Sequence, residues 1–292
     1  MIPQLAQFVN DCYHVWRAPA GSKITILRHL LLPSSRKMGF QIEHFDRPTL
    51  HHLYREIFAR QYYYFRSESN VPVILDCGAN LGMASLYFKW LYPNSRVQAF
   101  EPDPTTFQVL KRNVTGNNLD VETHNCALWD EDGEVDFFIN SSIPGTLLMS
   151  TDASRCRGAP IKVAARRLSN FVQGTVDFLK LDVEGAEHRV LRDLTQTGKI
   201  RAIRQIVVEY HHRVGQQKSC LGEFLLMLER AGFEYQICSS VYPVTSKDVC
   251  QDVLIGAYQR TDRVTLSPLV GSENVVAYHD SRHKDHTVHV DK

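Results

Sequence analysis

From residue 71 onward, short apolar runs alternate with stretches of helical periodicity, and this alternation constrains the fold more than any other feature of the chain. The runs lie at 73–75, 97–100, 121–124, 176–181 and 203–208. Between and after them, residues 83–91, 104–114, 186–194 and 221–231 carry apolar side chains at helical spacing. A strand covered on both faces reads as a continuous apolar run, and parallel neighbours need a crossover that is usually helical. The pattern therefore predicts an α/β fold: a mostly parallel sheet with helices on both faces. Two extra strands, 135–139 and 161–165, flank a Ser/Gly/Arg-rich loop and form an insert near 135–165. Strands at 233–238 and 253–258 close the pattern, and the loop holding Pro243 suits a hairpin-like pair.

Residues 1–70 have a different rhythm. Leu5, Phe8, Val9 and Cys12 recur at helical spacing, and Pro48 after Asp46 opens a helix whose face is Leu50, Leu53, Tyr54, Ile57 and Phe58. The expected organisation is an N-terminal helical extension (1–70), a core (71–260) and a polar, loosely ordered tail (261–292). At 43% hydrophobic and 22% charged, the chain can bury a core without disulfide or metal staples. Its 33 Lys+Arg against 32 Asp+Glu give +1, which excludes a bulk nucleic-acid binder. Seven cysteines without a C-x-x-C pair suit a reducing compartment. The start lacks the features of a signal peptide, and ITILRHLLL is too short for a bilayer and carries Arg28 and His29, so a cytoplasmic protein is expected.

The chemistry concentrates in VILDCGANLG, residues 73–82. A buried strand ends in Asp76, and Gly78, Asn80 and Gly82 open a helix. Glycines admit left-handed angles and close backbone approach. At the next strand end stands Glu101, 19 residues beyond Gly82, where a carboxylate can accept both hydroxyls of a ribose. A nicotinamide dinucleotide is the alternative, but its G-x-G-x-x-G spacing is absent, and Asp76 would repel a pyrophosphate. S-adenosylmethionine has a ribose, an ammonium and a sulfonium but no phosphate, and suits the motif better. Cys77 reads as packing.

These residues carry a resemblance. VILDCGANLGMASLYFKWLYPNSRVQAFEPDPTTFQVLKRNV resembles the FkbM family of S-adenosylmethionine-dependent methyltransferases. DFLKLDVEGAEHRVLRDL and the Glu209-Tyr210-His211 strand end match two further blocks in the family's order, over roughly 55–258. The resemblance implies a class I methyltransferase (Rossmann-like) fold with seven strands, the last antiparallel. By position, it implies that Asp76, Gly78, Asn80 and Gly82 hold the methionine end, Glu101 the ribose, and Asn125 and Ala127 the adenine. Tyr63 would close over the amino-acid part.

The block Lys180–Glu187 sits at the carboxyl edge of its strand, where ligands collect in such sheets. Alternation puts Lys180 and Asp182 on one face. Asp182 and Glu184 are candidate catalytic residues, with Asp182 also beside the cofactor; Glu187 equally suits a helix N-terminus. Glu209 and His211 point the same way and are the leading candidates for a base that takes a hydroxyl proton. Asp182, Glu184, Glu209 and His211 could hold a divalent metal, but the spacing does not require it, and no metal is expected. The tail histidines His279, His283, His286 and His289 read as solvated, as do Arg155, Arg157, Arg166 and Arg167, unless these arginines meet an anionic acceptor.

The expectation is an O-methyltransferase acting on a hydroxyl of a sugar, glycan precursor or secondary metabolite, with S-adenosylhomocysteine as coproduct. An N-methyltransferase, a dinucleotide-dependent oxidoreductase and a non-catalytic cofactor-binding partner are the rivals. In the last case, the aromatic run at 62–65 would be exposed as a protein contact.

Overall fold

The computed structural model describes residues 36–37, 39–139, 145, 149–153, 156, 158–212, 220–239 and 251–260. The tail, its histidines, Arg155, Arg157 and the first 35 residues, including the helix read there, lie outside the described residues.

Short strands β1 (Arg36–Lys37) and β2 (Phe40–Gln41) pair antiparallel, where the sequence was read as helical. Gly39 between them has φ +84°, a turn conformation that periodicity does not reveal. Helix α1 (Arg47–Tyr54) starts where Asp46 accepts the Thr49 N–H at 2.7 Å, and it runs on into a π-helical turn at Arg55–Ala59. This segment buries Leu50, Tyr54, Ile57 and Phe58.

The main sheet has seven strands: β3 (Val73–Cys77), β4 (Arg96–Phe100), β5 (Val121–His124), β9 (Val176–Leu181), β10 (Ile203–His212), β11 (Phe233–Ser239) and β12 (Gln251–Gln259). Their order is β11-β12-β10-β9-β3-β4-β5. Only β12 runs against the rest, pairing antiparallel with both β10 and β11. This is the mostly parallel α/β sheet that the alternation predicted. The chain steps outward from β3 to β4 and β5, then returns to β9 on the other side of β3. The order reverses between β3 and β9, and a crevice opens there at the strands' carboxyl ends.

The two faces follow from alternation along each strand. Ile74, Phe178 and Val207 meet α1, the π-turn and α2 (Met83–Leu91). Leu75, Leu179, Leu181 and Val208 meet α4 (Glu187–Gln196) and α5 (Leu221–Arg230). Helix α3 (Pro104–Gly116) packs Phe107, Leu110 and Val114 on Ala99. Asp76, Lys180, Glu209 and His211 continue the first face at the crevice end, because each lies an even number of residues from Ile74, Phe178 or Val207.

Strands β6 (Ala127–Trp129), β7 (Gly133–Ile139) and β8 (Ala159–Arg167) form a separate sheet in the order β6-β8-β7. β6 was not expected; three residues are too short for a periodic signal. Within the aromatic run, Tyr63 and Phe65 are buried, and Phe65 stacks on Phe178 with centroids 4.4 Å apart. Half of the run is therefore core, while Tyr62 is half-buried and Tyr64 is exposed. Among the described residues, no helix is long and apolar enough to cross a membrane.

Candidate active site

The loop after β3 is set by close approach. Gly78, at φ +80°, lies so near β9 that a Cβ there would stand 1.7 Å from the Asp182 carbonyl oxygen. The Gly78 and Ala79 N–H groups donate to the Phe100 carbonyl at 3.0 and 2.8 Å. Gly82, at φ +87°, is the N-cap of α2 and packs on Leu110.

Glu101 is 4% exposed and lines the cleft beside this loop. Its two oxygens accept the Asn80 and Asp103 N–H groups, both at 2.9 Å. Burial pushes its carboxyl up to about 8, against the lowering effect of those two hydrogen bonds. The cleft is open to solvent, and together with the space at its mouth it spans about 810 Å³. One wall is apolar, with Phe100, Pro102, Cys126, Ala127, Leu128 and Phe137. Leu53, Ile57 and Tyr63, all ahead of β3, form another part of the wall.

Asp76 does not line the cleft. It is fully buried below it, accepting the Ser85 hydroxyl at 2.6 Å and standing 3.5 Å from Lys180 Nζ. Between Asp76 and the cleft stands Lys180, which itself lines the cleft. Asn125 is also turned aside: its amide donates to the Glu101 and Pro102 carbonyls at 2.9 and 3.0 Å, fixing the loop that carries Glu101. Ala127, by contrast, lies in the apolar wall.

Lys180 is the residue to which the sequence reading assigned no role. Buried to 3% exposure, its Nζ donates to the Gly78 carbonyl at 2.7 Å and stands 3.3 Å from Asp182 Oδ2. It also lies 5.4 Å from the centre of the Tyr63 ring. Burial disfavours its charge, but the Asp182 and Asp76 carboxylates outweigh burial and raise its pKa. The Tyr63 phenol is raised well above its ordinary value, first by burial and then by the Asp182 charge. Strand alternation placed Lys180 on this face; its register opposite Asp76 on β3 depends on the fold.

At the far end, Asp182, Glu184 and His211 converge. His211 Nε2 stands 3.3 Å from Glu184 Oε2 and 4.0 Å from Asp182 Oδ1. Its Nδ1 meets Glu187 Oε1 at 2.8 Å. Glu187 is itself 1% exposed and accepts the Val183 and Gly185 N–H groups at 3.2 and 2.9 Å. Burial would raise the Glu187 carboxyl, but the His211 charge, the His211 hydrogen bond and the Gly185 N–H lower it. So Glu187, which suited a helix N-terminus in the sequence, is the partner of His211. Glu209 lies on the same strand face but is not among the residues that line the cleft; the Asp182 charge and then burial push its carboxyl up to about 8. The described members of the basic run are engaged locally: Arg166 donates to the Ala165 carbonyl and Arg167 to Asp193, at 2.9 and 2.8 Å.

A family model described as the methyltransferase FkbM domain matches residues 76–235, more than half of the chain. "Methyltransferase 1" of Beauveria bassiana (strain ARSEF 2860) is 33% identical over 164 residues, covering 49% of this chain and 66% of that protein. "31-O-demethyl-FK506 methyltransferase FkbM" of Streptomyces tacrolimicus is 29% identical over 246 residues, covering 71% and 89%. The crystal structure of methyltransferase FkbM from Methylobacillus flagellatus KT is similar at 15% identity and TM-score 0.46, over 87% of this chain and 59% of that one. The strand order, the glycine loop set against β9 and the match across residues 76–235 agree: the chain belongs to the FkbM methyltransferase family and is a methyltransferase.

Proposed function

We propose that the chain is an S-adenosylmethionine-dependent O-methyltransferase whose acceptor is a hydroxyl of a sugar, glycan precursor or secondary metabolite. The observation that carries this reading is the charge of the cleft. Among the described residues that line it, Lys180 is the one Lys or Arg, and it is already engaged by Asp76, Asp182 and the Gly78 carbonyl. Among these described residues no further Lys or Arg faces a pyrophosphate, whereas Glu101, Asp182 and Glu184 suit hydroxyl donors and a cation. The donor set thus fits S-adenosylmethionine, which supplies a methyl group on a sulfonium. The O-methyl specificity printed in the Streptomyces relative's name supports a hydroxyl acceptor.

In this reading Glu101 accepts the ribose hydroxyls, and the apolar wall at Phe100, Ala127 and Leu128 covers the adenine. The Gly78–Asn80 turn and Tyr63 enclose the amino-acid part, with Gly82 starting the helix behind it. Asp182, held by Lys180, lies beside the transferring methyl. Residues ahead of β3 and the insert near 135–165 wall the acceptor side around the core. Transfer is an in-line displacement, so holding the acceptor oxygen in line supplies much of the acceleration. When bound, S-adenosylmethionine would supply an electrophilic methyl group, with its sulfur as the leaving group. The acceptor's hydroxyl proton passes to Glu209, which shares the strand face with His211. The described cysteines are free, which accords with a cytoplasmic setting.

Calorimetric titration with S-adenosylhomocysteine and with NAD tests the cofactor. Binding of the first alone is expected; binding of NAD alone overturns the reading. Labelled cofactor incubated with a cell extract then identifies the acceptor. Glu209→Gln should lower that transfer about 100-fold or more, and unchanged turnover would overturn a hydroxyl acceptor in favour of an amine.

A further inference from the structure

Glu184 stands in the left-handed region at φ +56°, followed by Gly185 at φ +105°. A side chain disfavours that conformation, and it persists where the surroundings over-determine it, most often at functional sites. Here the surroundings can be named. From one side, Glu187 Oε1 accepts the Val183 and Gly185 N–H groups. From the other, the Ser150 hydroxyl donates to the Glu184 carbonyl at 2.5 Å. A carbonyl cannot donate, so the Ser150 hydrogen lies on this bond, and its oxygen is left to accept the Asp152 N–H at 3.1 Å.

Ser150 comes from the insert, 34 positions earlier in the chain. It is fully buried and is itself anchored, because its N–H and carbonyl pair with Phe138 of β7 at 3.3 and 2.8 Å. Its neighbours Met149 and Thr151 line the cleft, as does Glu184. One hydroxyl thus fastens the wall contributed by the insert to the turn that carries Asp182 and Glu184. We propose that Ser150 is a positioning residue for methyl transfer: by holding Glu184 in the left-handed turn, it keeps the Glu184 carboxylate in the cleft. The inference deepens the proposed function, since it rests on Glu184 meeting the acceptor there. Without the hydroxyl, the Glu184 carbonyl loses its donor, and residue 184 is free to relax toward the ordinary backbone regions, which carries its carboxylate away. A misplacement of about 1 Å at a reacting centre costs about 100-fold in rate.

Two measurements test this. Hydrogen exchange on the full chain without ligand reads the brace directly. Ser150→Ala should speed exchange of the Val183 and Gly185 amides about tenfold or more, with the amides of β9 and β10 unchanged. Unchanged exchange in the turn overturns the brace, and so does a uniform increase, which marks a general loss of stability. The second measurement is a double-mutant cycle in the transfer of labelled methyl from S-adenosylmethionine to the acceptor in a cell extract. Ser150→Ala should slow transfer about 10- to 100-fold while S-adenosylhomocysteine affinity stays within about threefold. In a Glu184→Gln background the same substitution should cost less than about threefold, because the group it places has been removed. Equal losses in both backgrounds overturn the positioning role, as does loss of S-adenosylhomocysteine binding on Ser150→Ala alone. A wild type that binds no S-adenosylhomocysteine and transfers no methyl overturns the cofactor reading instead, and the exchange measurement then decides Ser150 by itself.

Discussion

Replacing Gly78 by alanine tests the contact that sets the cofactor loop against β9. The cost has two separable parts. The first is conformational: φ is +80°, and an L-residue there costs about 1–2 kcal/mol. The second is steric. The added Cβ would lie 1.7 Å from the Asp182 carbonyl oxygen, a backbone atom that cannot swing aside, so loop and strand must separate by more than an ångström. That movement strains the Asp182 N–H to Cys77 carbonyl bond at 3.1 Å and the Lys180 to Gly78 carbonyl bond at 2.7 Å. Losing one neutral and one charged hydrogen bond adds about 2–4 kcal/mol, for a total of about 3–6 kcal/mol. Urea unfolding reads this against two controls. Gly198 has φ +73° with nothing within 4 Å of its Cβ position, so Gly198→Ala should cost only the conformational part, about 1–2 kcal/mol. Gly116 ends α3 with open space around it, so Gly116→Ala should be neutral or stabilising by up to about 1 kcal/mol. If Gly78→Ala costs no more than Gly198→Ala, the close approach of loop and strand is refuted.

Three further outcomes can be checked. The Glu101 carboxyl is pushed up to about 8 in the free protein, and ribose hydroxyls donate to its ionised form; S-adenosylhomocysteine affinity should therefore rise roughly tenfold from about pH 7 to about pH 9, and calorimetry on Glu101→Gln should show that slope abolished. Lys180→Met leaves Asp76 and Asp182 uncompensated and should cost about 3–5 kcal/mol in urea unfolding; adding Asp76→Asn should recover part of that loss, and strict additivity would refute the pairing. Asp193 is fully buried and accepts Arg167 Nε, the Ser169 N–H and the Ser169 hydroxyl, each at 2.8 Å; Asp193→Ala should cost about 3 kcal/mol or more, and a loss under about 1 kcal/mol would refute its role in tying β8 to α4.

The elements of the sheet were legible because buried parallel strands and crossover helices have different periods. The runs at 73–75 and 176–181, and the helix at 83–91, stand close to where they were read. The hairpin at 36–41 and the strand at 127–129 were not, since two- and three-residue strands carry no period. Glu101 was legible as a cleft residue because a strand end followed by Pro102 fixes its place. Asp76 is legible as a strand-end carboxylate, but its burial and its place 3.5 Å from Lys180 depend on the fold.

The sequence by itself determined the α/β architecture, the glycine turn and the family, because those rest on local periodicity and on side chains close together in the chain. The tertiary structure alone decided which charges meet. Asp76 faces Lys180 across 104 positions of chain, and Glu187 faces His211 across 24. Whether a carboxylate binds a ligand, orients a histidine or neutralises a buried lysine depends on its burial and its partner. Both are properties of strand register and helix packing, and neither is written in any one segment.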